Sequence, residues 1–214
     1  MILIKPSAVL IAASTGPEML RRIEAAGRTC YKSEDKITED SAEKFVRMII
    51  ARGHETVIEH EKVSARVICD RGVSHEIVRH RLASYSQEST RYCDYEGGHV
   101  TFIIPPWVDT EPGTYSDRVF CTPHSDPDVT WLHCVYDSEL HYKELRSKGW
   151  KPEQARSVLP NSLKTELVMT MNLREWRHFF KLRTAPAAHP QMREIADQLL
   201  QQMRELIPVV FENI

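Results

Sequence analysis

An α+β fold is what this 214-residue sequence predicts, on three observations. Residues 61–69 and 163–171 alternate apolar and polar side chains with the two-residue period of a half-buried strand. Other segments carry apolar residues at helical spacing, and they do not alternate regularly with the strands as the units of a doubly wound sheet would. Neither G-x-G-x-x-G nor G-x-x-x-x-G-K-[ST] occurs, so neither a dinucleotide fold nor a P-loop is signalled.

The elements follow in chain order. MILIKPSAVLIAAS, residues 1–14, reads as a buried opening strand; its one Lys lies within the apolar stretch, whereas a secretory leader would begin with it. Pro17 at a first turn and Gly27 at an end mark a helix over 17–27. Asp40-x-x-Glu43 is a capping box ahead of Phe45, Val46, Ile49 and Ile50, which share one helical face. In the strand at 61–69, Val63, Ala65, Val67 and Cys69 form the apolar set. Val73, Ile77 and Val78 suggest a short helix that delivers residues 79–81 at its C-terminal end, where cations are favoured. A strand at 100–104 stops at Pro105-Pro106. Residues 107–129, rich in Asp, Pro, Thr and Ser, read as a surface excursion, and a helix follows over about 130–147, ending at Gly149. After the strand at 163–171, Asn172-x-x-Glu175 caps a helix. Pro190 opens the last long one, whose Met192, Ile195, Leu199, Met203 and Leu206 form a stripe suited to core or to a subunit interface.

Composition narrows the function. Charged residues make up 27% and apolar ones 42%, and net charge is −2, an ordinary globular balance with no global field to recruit nucleic acid. The length suits one large domain or two small ones. No apolar run approaches the roughly 20 residues of a membrane span. Five cysteines, an odd number without a C-x-x-C pair, point to a reducing cytoplasm. Ten histidines match no compact ligand spacing, so no metal is expected.

The densest chemistry lies in RHRLASYSQESTRY, residues 79–92. Three guanidinium groups, an imidazole and the hydroxyls of Ser84, Ser86, Ser89 and Thr90 suit a phosphate ester, since Arg offers planar bidentate donors and hydroxyls complete the cage. A bare R-H-R is more often a solvated basic loop. With Ser89 and Arg91 at fixed offsets, the pattern arises by chance in fewer than about one chain in ten thousand of this length.

This pattern resembles the hallmark of the flavin-dependent thymidylate synthases, the ThyX family: R-H-R, seven residues, then Ser. Upstream, Gly53-His54-Glu55-Thr56 with Glu59-His60 is similar to the family's G-H-x-[ST]…E-H element. Downstream, Gln154-Ala155-Arg156-Ser157-Val158-Leu159-Pro160 is similar to its Q-A-R-x-x-L-P element. Asn172-Leu173-Arg174, Trp176-Arg177-His178-Phe179 and Leu182-Arg183 resemble its N-x-R…L-R segment. The blocks fall in family order between about residues 20 and 205.

The resemblance implies a mixed, mostly antiparallel sheet packed with helices in one catalytic domain over 1–214, and a homotetramer with shared active sites. It implies reductive methylation of dUMP to dTMP with methylenetetrahydrofolate as carbon donor, FAD as cofactor and NADPH as reductant. Arg183 then falls at the family's catalytic Arg. FAD would be held by Thr56, Arg79, His80, Arg81, Gln87, Asn172, Leu173, Arg174 and His178, with His54 near the isoalloxazine ring. Cys30 falls where the family has a small polar residue near the cofactor. The nucleotide would be held by Glu76, Ile77, Val78, Arg79, Gln87, Glu88, Ser89, Thr90, Arg91, Arg156 and Arg183. In one departure, Ser86-Gln87 stands where many members carry Asn-Glu.

The residues allow other readings. A thymidylate synthase of the other kind adds a cysteine that follows Pro; here Thr29, Ile68, Tyr92, Phe120 and His133 precede the cysteines, so that signature is missing. Ser89 near His80 could be read as a nucleophile with its base, but no acidic orienter is fixed in the sequence. A non-catalytic nucleic-acid-binding module could use the basic 71–91 segment with Tyr85, Tyr92 and Tyr95 as stacking platforms; net charge and the lack of a spread basic stripe oppose it. A third reading is a ThyX-like flavoenzyme acting on another uracil.

Overall fold

The computed structural model describes residues 1–11, 14–116 and 126–214. The α+β class stands. Two compact units interleave along the chain: one comprises Met1–Ser7, Ile68–Val78 and Gln87–Leu167, the other Ala8–Val67, Arg79–Ser86 and Val168–Ile214.

The opening segment is two strands, not one: β1 (Ile2–Ile4) and β2 (Ser7–Ile11). Pro6, which has no N–H to give a ladder, stands between them. In the first unit β1 is central to a three-stranded sheet, parallel to β5 (Thr101–Ile103) and antiparallel to β6 (Gly113–Thr114). β6 thus lies inside the expected surface excursion, of which 117–125 fall outside the described residues. Against this sheet lies α4 (Pro127–Ser147), which starts three residues earlier than expected, with the Asp126 side chain accepting from Asp128 N at 2.9 Å. Met1, Leu3, Val100, Phe102, Val135 and Tyr142 form the core there. Glu139 of α4 is buried within it. Its carboxylate accepts from Lys143 Nζ at 2.8 Å, from Val100 N at 3.1 Å and from the Met1 amine.

A four-stranded sheet runs in the order β2-β3-β7-β4, with β3 (Lys62–Asp70), β7 (Lys164–Asn172) and β4 (Ala83–Gln87). The alternation in β3 and β7 is as expected: Val63, Ala65, Val67, Cys69, Thr165, Leu167, Met169 and Met171 are buried. β4 went unpredicted because its alternating residues, Ala-Ser-Tyr-Ser-Gln, carry no apolar signature.

In the second unit α1 (Gly16–Thr29) runs past Gly27, which is a packing point and not the helix end. A Cβ there would lie 2.5 Å from Phe45 Cζ of α2 (Ser41–Ala51) and 3.0 Å from Val57 Cγ1. Asp40 is the N-cap of α2 by position but makes no side-chain cap bond; Glu43 pairs with Arg47 instead. The stripe of α7 (Pro190–Leu206) is buried from Met192 through Met203, and Leu206 is half-buried. On another face, Gln198 and Gln202 accept from Ala8 N and Leu10 N of β2, each at 2.9 Å, and Gln202 Nε2 donates to Ala8 O at 3.0 Å. The short α8 (Pro208–Phe211) follows. Trp176 stacks on Phe180 with centroids 5.5 Å apart, and Phe180 meets Phe211 edge-on.

Candidate active site

The chain reaches residues 79–81 through a helix start and a helix stop. Asp70 accepts from Val73 N at 2.6 Å and opens α3 (Arg71–Ile77), and Val78 closes it. Beyond the stop, Arg79 and Arg81 are exposed while His80 is buried. Tyr85 of β4 fixes the turn by donating its hydroxyl to His80 O at 2.8 Å. Burial pushes the Tyr85 phenol up to about 12, so that hydroxyl stays a donor at any working pH.

Opposite lies α6 (Leu173–Arg183). Its N-cap is Asn172, whose side chain accepts from Glu175 N at 2.8 Å, as the sequence suggests. The Glu175 carboxylate, however, turns to His80, with Oε1 3.2 Å from Nδ1. On the other side of the ring, Arg183 Nε donates to His80 Nε2 at 3.0 Å. A guanidinium only donates, so Nε2 is the unprotonated nitrogen and Nδ1 carries the hydrogen bonded to Glu175. Burial holds the His80 pKa below its usual value, opposed by the Glu175 bond and aided by the Arg183 and His178 charges. The His178 ring lies edge-on to His80, centroids 5.9 Å apart. His80, Glu175 and His178 bring ligand-type atoms within 4.8 Å of one another; both His80 nitrogens are already engaged, so the hydrogen-bonded chain here runs Glu175–His80–Arg183, with His178 in ring contact beside it.

These side chains line a cavity of about 330 Å³ with Arg79, Arg81, Leu82 and Leu182. A second cavity, of about 510 Å³, shares Leu82, Glu175 and His178 and adds Asn172, Arg174, Arg177, Lys181, Glu55 and Glu59. Arg174 pairs with Glu59 at 2.6 Å and the buried Arg177 with Glu55 at 3.1 Å. Both acids stand on the 3₁₀ turn Glu55–His60, with the exposed His54 as its N-cap and the exposed Thr56 within it. So Asn172, Arg174 and His178 meet the R-H-R segment through Leu82 and Glu175. Leu173 is buried, and its N–H donates to Glu61 O at 2.9 Å. The guanidiniums around these adjoining cavities are groups that could hold an anionic ligand such as the diphosphate of a flavin dinucleotide, with those of Arg174 and Arg177 already paired to Glu59 and Glu55.

In the other unit, the chain turns after β4 with Tyr92 N and Cys93 N both donating to Ser89 O. Ser89 Oγ accepts from Arg91 N at 3.3 Å, and Arg156, just past the short α5 (Pro152–Ala155), donates from Nη1 to the buried Thr90 Oγ1 at 3.0 Å. Ser89, Thr90, Arg91 and Arg156 therefore form one group of anion-binding type, with Arg91 also 3.7 Å from Glu153. The Glu88 carboxylate is held by Lys164 Nζ at 2.8 Å and Tyr95 Oη at 2.9 Å. Gln87 donates to Ser74 Oγ at 3.0 Å and Thr165 Oγ1 at 3.1 Å. Glu76 is half-buried, Ile77 fully buried and Val78 exposed.

Sequence reasoning missed Glu175, Tyr85 and Leu82 as site residues. For Glu175 a signal existed, three residues after Asn172, but the capping pattern absorbed it.

A family model described as thymidylate synthase complementing protein matches residues 9–209. The chain belongs to this family. It is 34% identical over 180 residues to the flavin-dependent thymidylate synthase of Pyrococcus furiosus, covering 83% of this chain and 68% of that one. With the flavin-dependent thymidylate synthase of Mycobacterium avium it shares 32% over 208 residues, 94% and 80% of the two chains. The UMP/dUMP methylase PolB of Streptomyces cacaoi, solved with 5-Br dUMP, has the same fold: TM-score 0.78 at 24% identity, covering 99% of this chain and 96% of that one. No described helix is long and apolar enough to cross a membrane.

Proposed function

We propose that this protein is a flavin-dependent thymidylate synthase in one catalytic domain, methylating dUMP to dTMP with methylenetetrahydrofolate as carbon donor. FAD, reduced by NADPH, supplies the hydride. The observation that carries the reading is the meeting of R-H-R with Arg183 through His80, in a chain whose family match runs over 9–209.

The residues divide the work. Arg91, Arg156, Ser89 and Thr90 bind the nucleotide phosphate by charge-assisted hydrogen bonds, and Glu76, Ile77, Val78, Gln87 and Glu88 shape the pocket around it. Arg183 stabilises uracil ionised at N3, a role that suits a group protonated at every working pH. Thr56, Arg79, His80, Arg81, Gln87, Asn172, Leu173, Arg174 and His178 hold the flavin, with His54 near its ring. Ser89 takes no covalent part, because the candidate base His80 already has both ring nitrogens engaged. The active assembly is a homotetramer in a reducing cytoplasm, consistent with unpaired Cys30, Cys69, Cys93 and Cys134.

Purified protein should carry an oxidised-flavin spectrum that changes on adding dUMP, and should form dTMP with methylenetetrahydrofolate and NADPH. A colourless protein that gains no flavin and makes no dTMP would sink the proposal. UMP in parallel measures whether the uracil nucleotide accepted is the deoxy form.

A further inference from the structure

We propose that Glu175 is a positioning residue for Arg183, acting through the His80 ring. The inference rests on the role proposed for Arg183, and the geometry makes its own demand.

Arg183 is half-buried at the last position of α6, on a long side chain that many conformations could satisfy. The His80 acceptor at Nε2, 3.0 Å from Arg183 Nε, is a contact that narrows them. That acceptor exists in only one of the two neutral tautomers of the imidazole. Glu175 selects that tautomer by accepting the hydrogen at Nδ1; Tyr85 fixes the His80 main chain through its carbonyl, and the Phe179 ring packs edge-on against the imidazole with centroids 5.0 Å apart. The cap of α6 does not need the carboxylate, since Asn172 already accepts from the Glu175 backbone.

The charged and titratable groups facing His80 are Glu175, His178 and Arg183 from α6 and the Tyr85 hydroxyl from β4. Protonating His80 would turn Nε2 into a donor aimed at the Arg183 N–H, and the anchor would be lost. Activity should therefore fall on the acid side as His80 titrates. Burial lowers that pKa and the Glu175 charge opposes the lowering. Replacing the carboxylate by a neutral acceptor should accordingly move the acid limb to lower pH.

The test compares Glu175→Gln and Glu175→Leu in the FAD-loaded protein. The Gln amide oxygen can still accept from Nδ1, whereas Leu cannot. Glu175→Leu should lower kcat about tenfold or more at saturating dUMP and saturating FAD. Glu175→Gln should recover most of the loss and shift the acid limb downward. A side-chain ¹H–¹⁵N spectrum of ¹⁵N-histidine-labelled protein, assigned with His80→Asn, should put the His80 proton on Nδ1 in wild type and Glu175→Gln, and not solely there in Glu175→Leu. If Glu175→Leu matches wild type in kcat, or its His80 keeps the Nδ1 proton alone, the proposal is overturned; it is overturned too if Glu175→Gln fails as badly as Glu175→Leu. A wild-type protein that makes no dTMP would refute the proposed function, and the ring spectrum would still decide what Glu175 does.

Discussion

At the scale of single residues, the two arginine sites make different demands. Ser89 and its neighbours offer hydrogen bonds to a phosphate, each worth about 1.5–3 kcal/mol when one partner is charged. Ser89→Ala should therefore raise the dUMP dissociation constant by one to two orders of magnitude, roughly, and leave measurable turnover at saturation. Loss of all chemistry with nucleotide binding intact would restore the nucleophile reading. Arg183, in the role proposed for it, acts where charge develops. Arg183→Ala should retain FAD but lose at least about a hundredfold in kcat. Arg183→Lys should rescue little, because an ammonium cannot both anchor on His80 Nε2 and present a planar fork. Wild-type turnover in either variant would remove Arg183 from the chemistry. The R-H-R triplet stood out in the sequence as a candidate anion site because Arg and Ser at fixed offsets have few structural uses. Its middle residue was not, since nothing local says that His80 would be buried between two side chains of a helix some 95 positions away.

At the scale of elements, the strands were read where burial alternates with period two, as in β3 and β7, and missed where small hydroxyl residues carry the ladder, as in β4. Helix ends were read less well. Gly27 has the composition of a stop, yet α1 continues through it because Phe45 needs the missing side chain's space. Propensity and packing then oppose each other. Gly27→Ala gains about 1 kcal/mol of helix propensity and costs about 1–3 kcal/mol in overpacking. With a 2.5 Å approach to a buried ring, packing should win and urea unfolding should show net destabilisation; a stabilised variant would mean that Phe45 swings aside at no cost. Glu139 is a second such case. Burial would raise its pKa, but the bonds from Lys143, the terminal amine and Val100 N–H outweigh this and hold it below the ordinary 4.5. Its contribution is thus full above the ordinary value and lost as pH falls through the lower folded one. Glu139→Gln should cost roughly 3 kcal/mol near neutral pH, for the uncompensated charges left behind. The gap to wild type should close in acid. A gap independent of pH would show that shape, not charge, is what Glu139 supplies.

For the whole molecule, the proposed homotetramer makes its own prediction. Arg91→Ala and Arg183→Ala proteins are each impaired alone. Where sites draw those two arginines from different subunits, exchange between the variants creates some sites carrying neither substitution, and dTMP formation should return. Verified exchange without recovery would place both arginines on one chain in each site. An active monomer in sedimentation would refute shared sites altogether. Assembly was not legible in apolar stripes: the stripe of α7 that could have served an interface is core from Met192 to Met203.

The glutamines of α7 have one more consequence. β2 ends its sheet, and Val9 and Ile11 on it are exposed. A strand so placed, apolar and with open amides, is a template on which a second chain can add itself and begin aggregation. Gln198 and Gln202 occupy those amides with side-chain carbonyls and so stand in for the missing neighbour. The helix thereby covers the edge without extending the sheet, and replacing both glutamines by Ala should make the protein more prone to aggregate.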